Sequence, residues 1–297
     1  METQVIATPV CDLTANLPGS QFRLTVGAKR DILALSTIPN ASYQQARING
    51  INQYHSRIHH WKDGEVSIIT LPPMPQRLSH VQPLGNDYVC LDGRCEKDEP
   101  NLHVFDNQGH LLRSWHAGDG VLDVQTFQSD QIWVSFFDEG VFSGGLGSQG
   151  LVCFDAQGQR NFGFRDCPRG EFEIQEIIDC YALNVTSSRD TWLCYYTDFP
   201  VVHLQEKRLH QVFRPAPEMI GCHAFAVKGS FLLFVGGYHH RGQIFWRDET
   251  KQMQFELEVI DENGEPLVWK YARGRGADLF LFDGAKVWML SLHEISF

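Results

Sequence analysis

Four ionisable residues lie at intervals comparable to those of the chain's apolar strands: His80, Asp123, Asp179 and His223. Neutral imidazole and ionised carboxylate suit zinc, manganese or iron, and such a metal activates a bound water for hydrolysis. Without a metal, the same groups could act as an acid–base cluster. The alternative is a structural cluster whose members bond to each other and to channel water.

The elements that would position these residues are short apolar strands, each followed by a polar turn. Six such strands begin 45, 49, 49, 43 and 43 residues apart, at Ile58, His103, Val152, Val201, Ile244 and Val287. Two further apolar runs precede each strand, and a fourth strand follows the turn. Asp and Gly in several turns favour hairpins. Four strands repeated six times are typical of an all-β, six-bladed β-propeller.

One domain, residues 1–297, is predicted. The blades lie approximately at 22–73, 77–118, 121–168, 176–216, 222–260 and 266–297. The last blade lacks a fourth strand, and we expect the N-terminal segment 3–10 to supply it and close the ring. The run EFEIQEIID, residues 171–179, predicts one or two helical turns at most. A β-sandwich, the alternative, would not show this even spacing.

The glycines Gly145, Gly147 and Gly150 have the spacing of a dinucleotide fingerprint, with an acid further on at Asp166. That fingerprint works only if its last glycine opens a helix whose N-terminus meets the pyrophosphate. Here the strand-like LVCFDAQG follows Gly150 at once. We therefore interpret the glycines as a loop in the third blade and expect no dinucleotide cofactor.

Composition and charge limit the classes of partner expected for this chain. The formal net charge of −11 and the two short basic clusters, at 57–62 and 270–276, disfavour nucleic acid. No long apolar run or signal peptide is visible, so no membrane partner is expected. Several of the eight cysteines lie in apolar strand-like runs, where a thiol packs as a small hydrophobe. A reduced, cytoplasmic protein is the simplest prediction.

The first strand of each propeller blade lines the central channel. Counting eight residues back from each second strand, with allowance for a longer turn in the fourth blade, gives one level of that channel: Leu24, His80, Asp123, Asp179, His223 and Tyr271. Buried ionisable groups are costly unless they are paired or bind a metal. These six residues at one level therefore predict a divalent-metal or catalytic site in the channel. A shift of one residue in register would turn each side chain to the other face of its sheet and remove the site.

The loops after the second strands lie on the same face as the entries to the first strands. They carry Asp92 and Arg94, then other ionisable or aromatic residues that we predict to bind ligand together with Tyr271: Asp138, Glu139, Asp198, Tyr238 and His239. The longest connection, residues 36–57, also leaves by this face. Irregular loops rich in polar groups favour this side as the working surface.

Three strings support a family resemblance: IWVSFFDEGVF (132–142), DCYALNV (179–185) and CYYTDFPVV (194–202). Together they resemble a group of bacterial, propeller-like proteins of about this length that lacks an established activity. The resemblance implies the fold and transfers no catalytic residue.

Two functions remain open at this stage. The first is a binding module for a protein or small-molecule ligand at the loop-rich face and central channel; an antagonist that plugs a partner's active site with the 36–57 loop is not separated from it by sequence. The second is a metal-dependent hydrolase, a lactonase or esterase, whose ligands or acid–base groups are His80, Asp123, Asp179 and His223, with Tyr271 orienting substrate. It is similar in plan to six-bladed lactonases of the gluconolactonase and paraoxonase type, which use acids and amides around a calcium-type ion. The present level offers histidines and no asparagine, so a softer metal or none is expected.

Overall fold

A computed structural model of the chain describes residues 3–17, 22–39, 53–96, 98–295 and 297. The chain forms two compact units. Residues 15–163 make up one unit, and residues 1–14 together with 164–297 make up the other. Each unit is built from consecutive antiparallel sheets, numbered I to VI in chain order. The assignment of the whole chain to one domain stays a prediction.

The unit of residues 15–163 contains sheets I to III, each of four strands in sequence order. Sheet I consists of Phe22–Val26, Ile32–Pro39, Tyr54–Lys62 and Glu65–Thr70. Sheet II consists of His80–Leu84, Asp87–Leu91, Leu102–Phe105 and Leu111–Trp115. Sheet III consists of Val121–Phe127, Gln131–Phe136, Leu151–Phe154 and Arg160–Gly163.

The other unit contains sheets IV to VI. Sheet IV consists of Asp179–Val185, Asp190–Tyr196, Val201–Gln205 and Arg208–Phe213. Sheet V consists of Phe225–Lys228, Phe231–Val235, Ile244–Asp248 and Met253–Ile260, with Gln4–Ile6 added in parallel. Sheet VI consists of Tyr271–Arg275, Asp278–Asp283 and Lys286–Ser291, completed by Thr8–Asp12.

Most middle strands of the sheets are buried on both faces, which explains their continuous apolar sequences. In sheet III, for example, Ile132, Trp133 and Val134 are all almost completely buried. A strand packed on both faces needs apolar side chains at consecutive positions, whereas a half-exposed strand alternates. Six consecutive sheets, each with four antiparallel strands and sheet V with one further parallel strand, are the blades of a β-propeller, so the predicted fold class is confirmed.

The hairpin turns have the predicted Asp–Gly chemistry. The Asp106 carboxylate accepts hydrogen bonds from the backbone N–H of Gln108 and His110, both at 2.8 Å. Gly109 closes this turn with φ of 89°, a conformation that costs glycine nothing. Asp155 uses its carboxylate in the same way in the corresponding turn of sheet III. Local sequence therefore fixes these turns.

Two expectations need correction. The N-terminal segment joins two sheets rather than one, because Gln4–Ile6 pairs with sheet V and only Thr8–Asp12 completes sheet VI. Both described ends of the expected 36–57 loop are strand, since sheet I includes residues 36–39 and 54–57; residues 40–52 lie outside the described residues. Residues 171–178 form no helix, which is compatible with the prediction of at most one or two turns, and Ile178 N–H donates to the Tyr196 carbonyl.

The glycine-rich segment of sheet III contains a short helix, Asp138–Ser143, that precedes the glycines. A 3₁₀ turn, Gly147–Gln149, follows it, and Gly150 leads directly into the strand Leu151–Phe154. The glycines thus lack the following helix that a dinucleotide fingerprint requires. In the described parts of the chain, no helix has the length and apolar character needed to cross a bilayer.

Candidate functional site

The predicted residues of the unit 15–163 lie at the first strands of sheets II and III. His80 begins its strand opposite Leu91, and Asp123 lies opposite Ser135, which is the equivalent register. In sheet I that register belongs to Phe22, opposite Ser36, rather than to Leu24. Both His80 and Asp123 are buried. The Asp123 carboxylate lies 3.5 Å from Gln125 Nε2.

His80 is held by several polar neighbours. Its Nδ1 lies 2.9 Å from Ser79 Oγ, and its Nε2 lies 3.0 Å from both Arg23 Nη1 and the Leu122 carbonyl oxygen. Each ring nitrogen therefore already has a protein partner within hydrogen-bond distance. A metal at either nitrogen would have to displace one of these contacts.

The predicted residues of the other unit have different registers and exposures. Asp179 lies opposite Tyr196, and Tyr271 lies opposite Phe282, on which its ring stacks at a centroid distance of 4.6 Å. His223 precedes the first strand of sheet V and is exposed. Desolvation by the protein around it, and then the charges of Arg273 and Arg241, lower its pKa. His223 therefore lies in a basic setting.

Within the described ranges, no three His, Cys, Asp or Glu side chains are grouped closely enough to hold a metal ion. Two of the predicted ligands, His80 and Asp123, belong to one unit, and the other two, Asp179 and His223, belong to the other. The four-residue metal or catalytic site stays a prediction.

The predicted loop residues of sheet III form part of a charge network. Asp138 Oδ1 accepts a hydrogen bond from the backbone N–H of Glu139, at the start of the short helix. The Glu139 carboxylate pairs with Arg94 Nη1 at 2.5 Å, and Arg94 Nε lies 3.1 Å from Asp119. Glu139 therefore neutralises an arginine of the neighbouring loop rather than facing solvent alone.

The predicted loop residues of the second unit lie at two places. Tyr238 makes a hydroxyl–hydroxyl contact with Tyr181 and packs edge-to-face against Phe199 at 5.8 Å. His239 is exposed in the turn after Tyr238. Asp198 is also exposed, and it lines a groove that is described below.

A cavity of about 370 Å³ lies at the loop-rich edge of sheets I and II. Its walls come from the entries to both first strands and the exits of both second strands. Three guanidinium-bearing residues line it, Arg23, Arg77 and Arg94, together with Asp92. We name it the arginine cavity. Its remaining lining residues are Phe22, Leu35, Thr37, Leu78, Ser79 and Gly93.

Asp92 ties the two sides of the arginine cavity together. Its Oδ2 accepts the backbone N–H of Arg77 at 3.0 Å, and its Oδ1 accepts that of Arg94 at 3.1 Å. Burial raises the pKa of this carboxyl to about 6, against the opposing effect of these two hydrogen bonds. Asp92 therefore titrates close to neutrality inside a basic cavity.

Gly93 occupies the next position, where there is little room for a side chain. A Cβ atom there would lie 3.1 Å from the Val121 carbonyl oxygen and 3.4 Å from Ser79 Oγ. The Gly93 N–H donates to that Ser79 hydroxyl at 3.0 Å. The backbone at Gly93, in the loop after the second strand of sheet II, thus packs closely against the start of sheet III.

The arrangement suits an anion. Guanidinium groups bind carboxylate and phosphate in a planar, often bidentate geometry, and three guanidinium-bearing residues line this cavity together with one carboxylate. Sequence reasoning identified the loop carrying Asp92 and Arg94 but missed Arg23 and Arg77. Both stand at the entry to a first strand, on the face already expected to be functional, so their position was the available signal.

Part of the chain matches a known protein family. Residues 151–290 match the profile of the YxzG family. This segment includes two of the three strings on which the family resemblance rests, those at 179–185 and 194–202. No curated protein sequence matches the chain.

Solved structures similar to the chain are β-propellers of low sequence identity. A catalytically inactive variant of virginiamycin B lyase from Staphylococcus aureus, determined with quinupristin, has a TM-score of 0.54 at 12% identity, over 97% of this chain and 86% of that one. A streptogramin B lyase structure has a TM-score of 0.51 at 10% identity, over 95% of each chain. These identities support the shared fold alone.

Proposed function

We propose that the protein is a ligand-binding β-propeller that binds a small organic anion in the arginine cavity. The observation that carries the proposal is the meeting of Arg23, Arg77 and Arg94 around one cavity. Binding pockets for small molecules commonly have volumes of about 300–1,000 Å³, and about 370 Å³ lies within that range.

Because the chain as a whole is acidic, the local concentration of arginines distinguishes this cavity electrostatically from the protein as a whole. The formal net charge is −11, so the protein as a whole repels anions. An anion is therefore attracted only where guanidinium groups are concentrated. Carboxylate and phosphate share the required geometry, and Thr37 and Ser79 add hydroxyl groups to the same wall.

Arg94 is available to a ligand only in competition with its own neighbours. Its side chain is exposed and already paired with Asp119 and Glu139. Exposed ion pairs contribute little free energy, so a bound anion can replace them at small cost. Arg77 is also exposed, and its backbone N–H, rather than its guanidinium, anchors Asp92.

The state of the cysteines supports a reducing compartment such as the cytoplasm. All eight are free thiols, and six of them are buried. Burial raises the pKa of Cys222 to about 12, which keeps this thiol protonated and unreactive. Such cysteines act as packing residues rather than as a disulfide framework.

Isothermal titration calorimetry and thermal shift with malonate, citrate, glucose 6-phosphate and 1,2-ethanedisulfonate test the proposal. At least one anion should bind and raise the melting temperature. Arg77→Ala should weaken that binding at least fivefold, since a hydrogen bond to a charged group contributes about 1.5–3 kcal/mol. The Asp92 anchor survives this change because it uses the backbone of residue 77.

Arg189→Ala is the matched control. Arg189 is an exposed arginine of the other unit and pairs with Glu206 at 2.9 Å, much as Arg94 pairs with Glu139. The proposal fails if no anion of the panel binds. It also fails if Arg189→Ala weakens binding as much as Arg77→Ala, because the effect would then reflect net charge alone.

A further inference from the structure

A second cavity, on sheet IV, has the opposite charge. It is a groove of about 630 Å³ whose walls are the irregular segment 171–175 and the end of the outer strand with the residues after it, 212–215. Thr197, Asp198 and Pro200 complete the lining. We name it the acidic groove. All of these residues belong to one unit.

Three carboxylates, those of Glu171, Glu173 and Asp198, and one guanidinium, that of Arg214, line the acidic groove. In the described part of the chain, no basic side chain forms an ion pair with any of the three carboxylates. Nearby Glu176 differs, because it lies 3.1 Å from Arg169 and 3.6 Å from Arg165. The groove therefore presents a net negative charge that the protein does not neutralise itself.

The groove also has apolar walls. Phe172 and Ile174 are half-buried and alternate with the exposed residues of segment 171–175. Val212, Phe213 and Pro215 line the opposite side. Apolar walls with charged groups beside them are typical of peptide and protein recognition sites.

The backbone of segment 171–175 has free hydrogen-bonding groups. Phe172 N–H donates to the Arg169 carbonyl and Ile174 N–H to the Phe172 carbonyl, and the Gln175 carbonyl accepts the Tyr195 hydroxyl at 2.9 Å. Among the described residues, the N–H and C=O of Glu173 have no such partner. The outer strand of sheet IV, Arg208–Phe213, also ends its sheet without a further strand beside it.

We propose that the acidic groove binds an extended peptide segment of another protein in which basic side chains alternate with apolar ones. An extended chain alternates its side chains between two sides, so apolar residues can meet Phe172, Ile174 and Val212 while lysine or arginine meets the carboxylates. The unpaired backbone groups can hydrogen-bond the peptide main chain, as in β-strand addition. The proposal is independent of the arginine cavity, which lies in the other unit.

Fluorescence anisotropy with a fluorescein-labelled hexapeptide of alternating lysine and valine tests the proposal. Two matched probes replace lysine by glutamate or valine by serine. The lysine–valine peptide should bind at least tenfold more tightly than either. Its affinity should fall as salt rises from 50 to 300 mM, because charge attraction contributes to binding.

The variant Glu171→Lys/Glu173→Lys should weaken binding of the lysine–valine peptide at least tenfold. The matched control is Glu262→Lys/Glu265→Lys, which makes the same change in net charge at exposed positions of the same unit. Circular dichroism and thermal melting establish that both variants fold. A benzophenone group on the peptide should crosslink to residues 171–175 or 212–215.

Three results would overturn the proposal: no binding of the lysine–valine peptide at millimolar protein, equal weakening by the control variant, or crosslinking confined to other residues. The second result would mean that the peptide binds the acidic chain without a defined site. Equal binding of the lysine–serine peptide would mean that the apolar walls do not contribute to binding, and this result would also count against the proposal.

Discussion

Ionisation of Asp92 is expected to weaken anion binding in the arginine cavity, and Asp92→Asn should remove this effect. With its pKa raised to about 6 by burial, the carboxyl is about 97% ionised at pH 7.5 and about 9% ionised at pH 5. The asparagine imitates the neutral acid, since its Oδ1 can still accept one of the two backbone N–H groups, those of Arg77 and Arg94.

The size of the effect follows from the position of the charge. Asp92 is half-buried and lines the same cavity as the three arginines. Removing one negative charge from a partly solvated site changes the binding free energy of an anion by about 1 kcal/mol, or roughly fivefold in affinity. Asp92→Asn should therefore bind an anion about five times more tightly than the unmodified protein at pH 7.5, and equally well at pH 5.

The assay is calorimetric titration with 1,2-ethanedisulfonate from pH 5 to pH 8, over which the charge of this ligand is constant. The ratio of the two affinities reports the effect of Asp92 alone, because any other group that titrates in this range affects both proteins. The ratio should change with a midpoint near pH 6. Asp63→Asn, at an exposed hairpin of sheet I, is the control for net charge and should show no such transition.

A ratio that does not change with pH would refute the reasoning, because Asp92 would then not titrate in this range or would not influence the ligand. A midpoint below pH 4.5 would refute the effect of burial on the pKa. Weaker binding by Asp92→Asn at every pH would mean that the carboxylate is needed to hold the loops together.

Three further predictions concern other parts of the molecule. Glu139→Gln should tighten anion binding about twofold to fivefold in the same titration, because it frees Arg94 from its 2.5 Å ion pair; unchanged affinity would exclude competition. Asn184→Ala should lower the free energy of unfolding in urea by about 2 kcal/mol, because it removes the buried amide oxygen that accepts the Gly276 N–H at 2.7 Å, whereas the Gly276 carbonyl keeps the Val227 N–H at 3.0 Å; a loss below about 0.5 kcal/mol would contradict this. The predicted metal site requires near-stoichiometric transition metal in tag-free protein and its loss in Asp123→Ala, measured by ICP-MS; protein that binds no added metal would overturn it.

The fold was predictable because the signals that mark the repeat are local in the sequence. Apolar runs spaced 43–49 residues apart mark the third strand of each blade, and turns such as Asp106 to Gly109 are closed by their own side chains. The division of the N-terminal segment between sheets V and VI was not predictable. It depends on parallel pairing of Gln4–Ile6 with a strand more than two hundred residues away, which no local signal encodes.

The candidate sites were predictable only in part. The expectation of a functional face rested on where strands enter and leave; Asp92 and Arg94 line one cavity and Asp198 lines another, each beside the exit of a second strand. A count of eight residues gave equivalent register positions for His80 and Asp123 but not for the first strand of sheet I. The registers depend on turn lengths and bulges, so Phe22 rather than Leu24 is the counterpart of His80.

Both cavities lie where the repeat constrains the sequence least. The strands must keep apolar residues at fixed spacing to pack, whereas the entries to first strands and the exits of second strands need only reach the same edge of the sheet. Those connections can therefore differ in charge from blade to blade, with Arg23, Arg77 and Arg94 at sheets I and II and Glu171 and Glu173 at sheet IV. A single scaffold can in this way carry both the proposed anion site and the proposed peptide groove, each set by a few connecting residues.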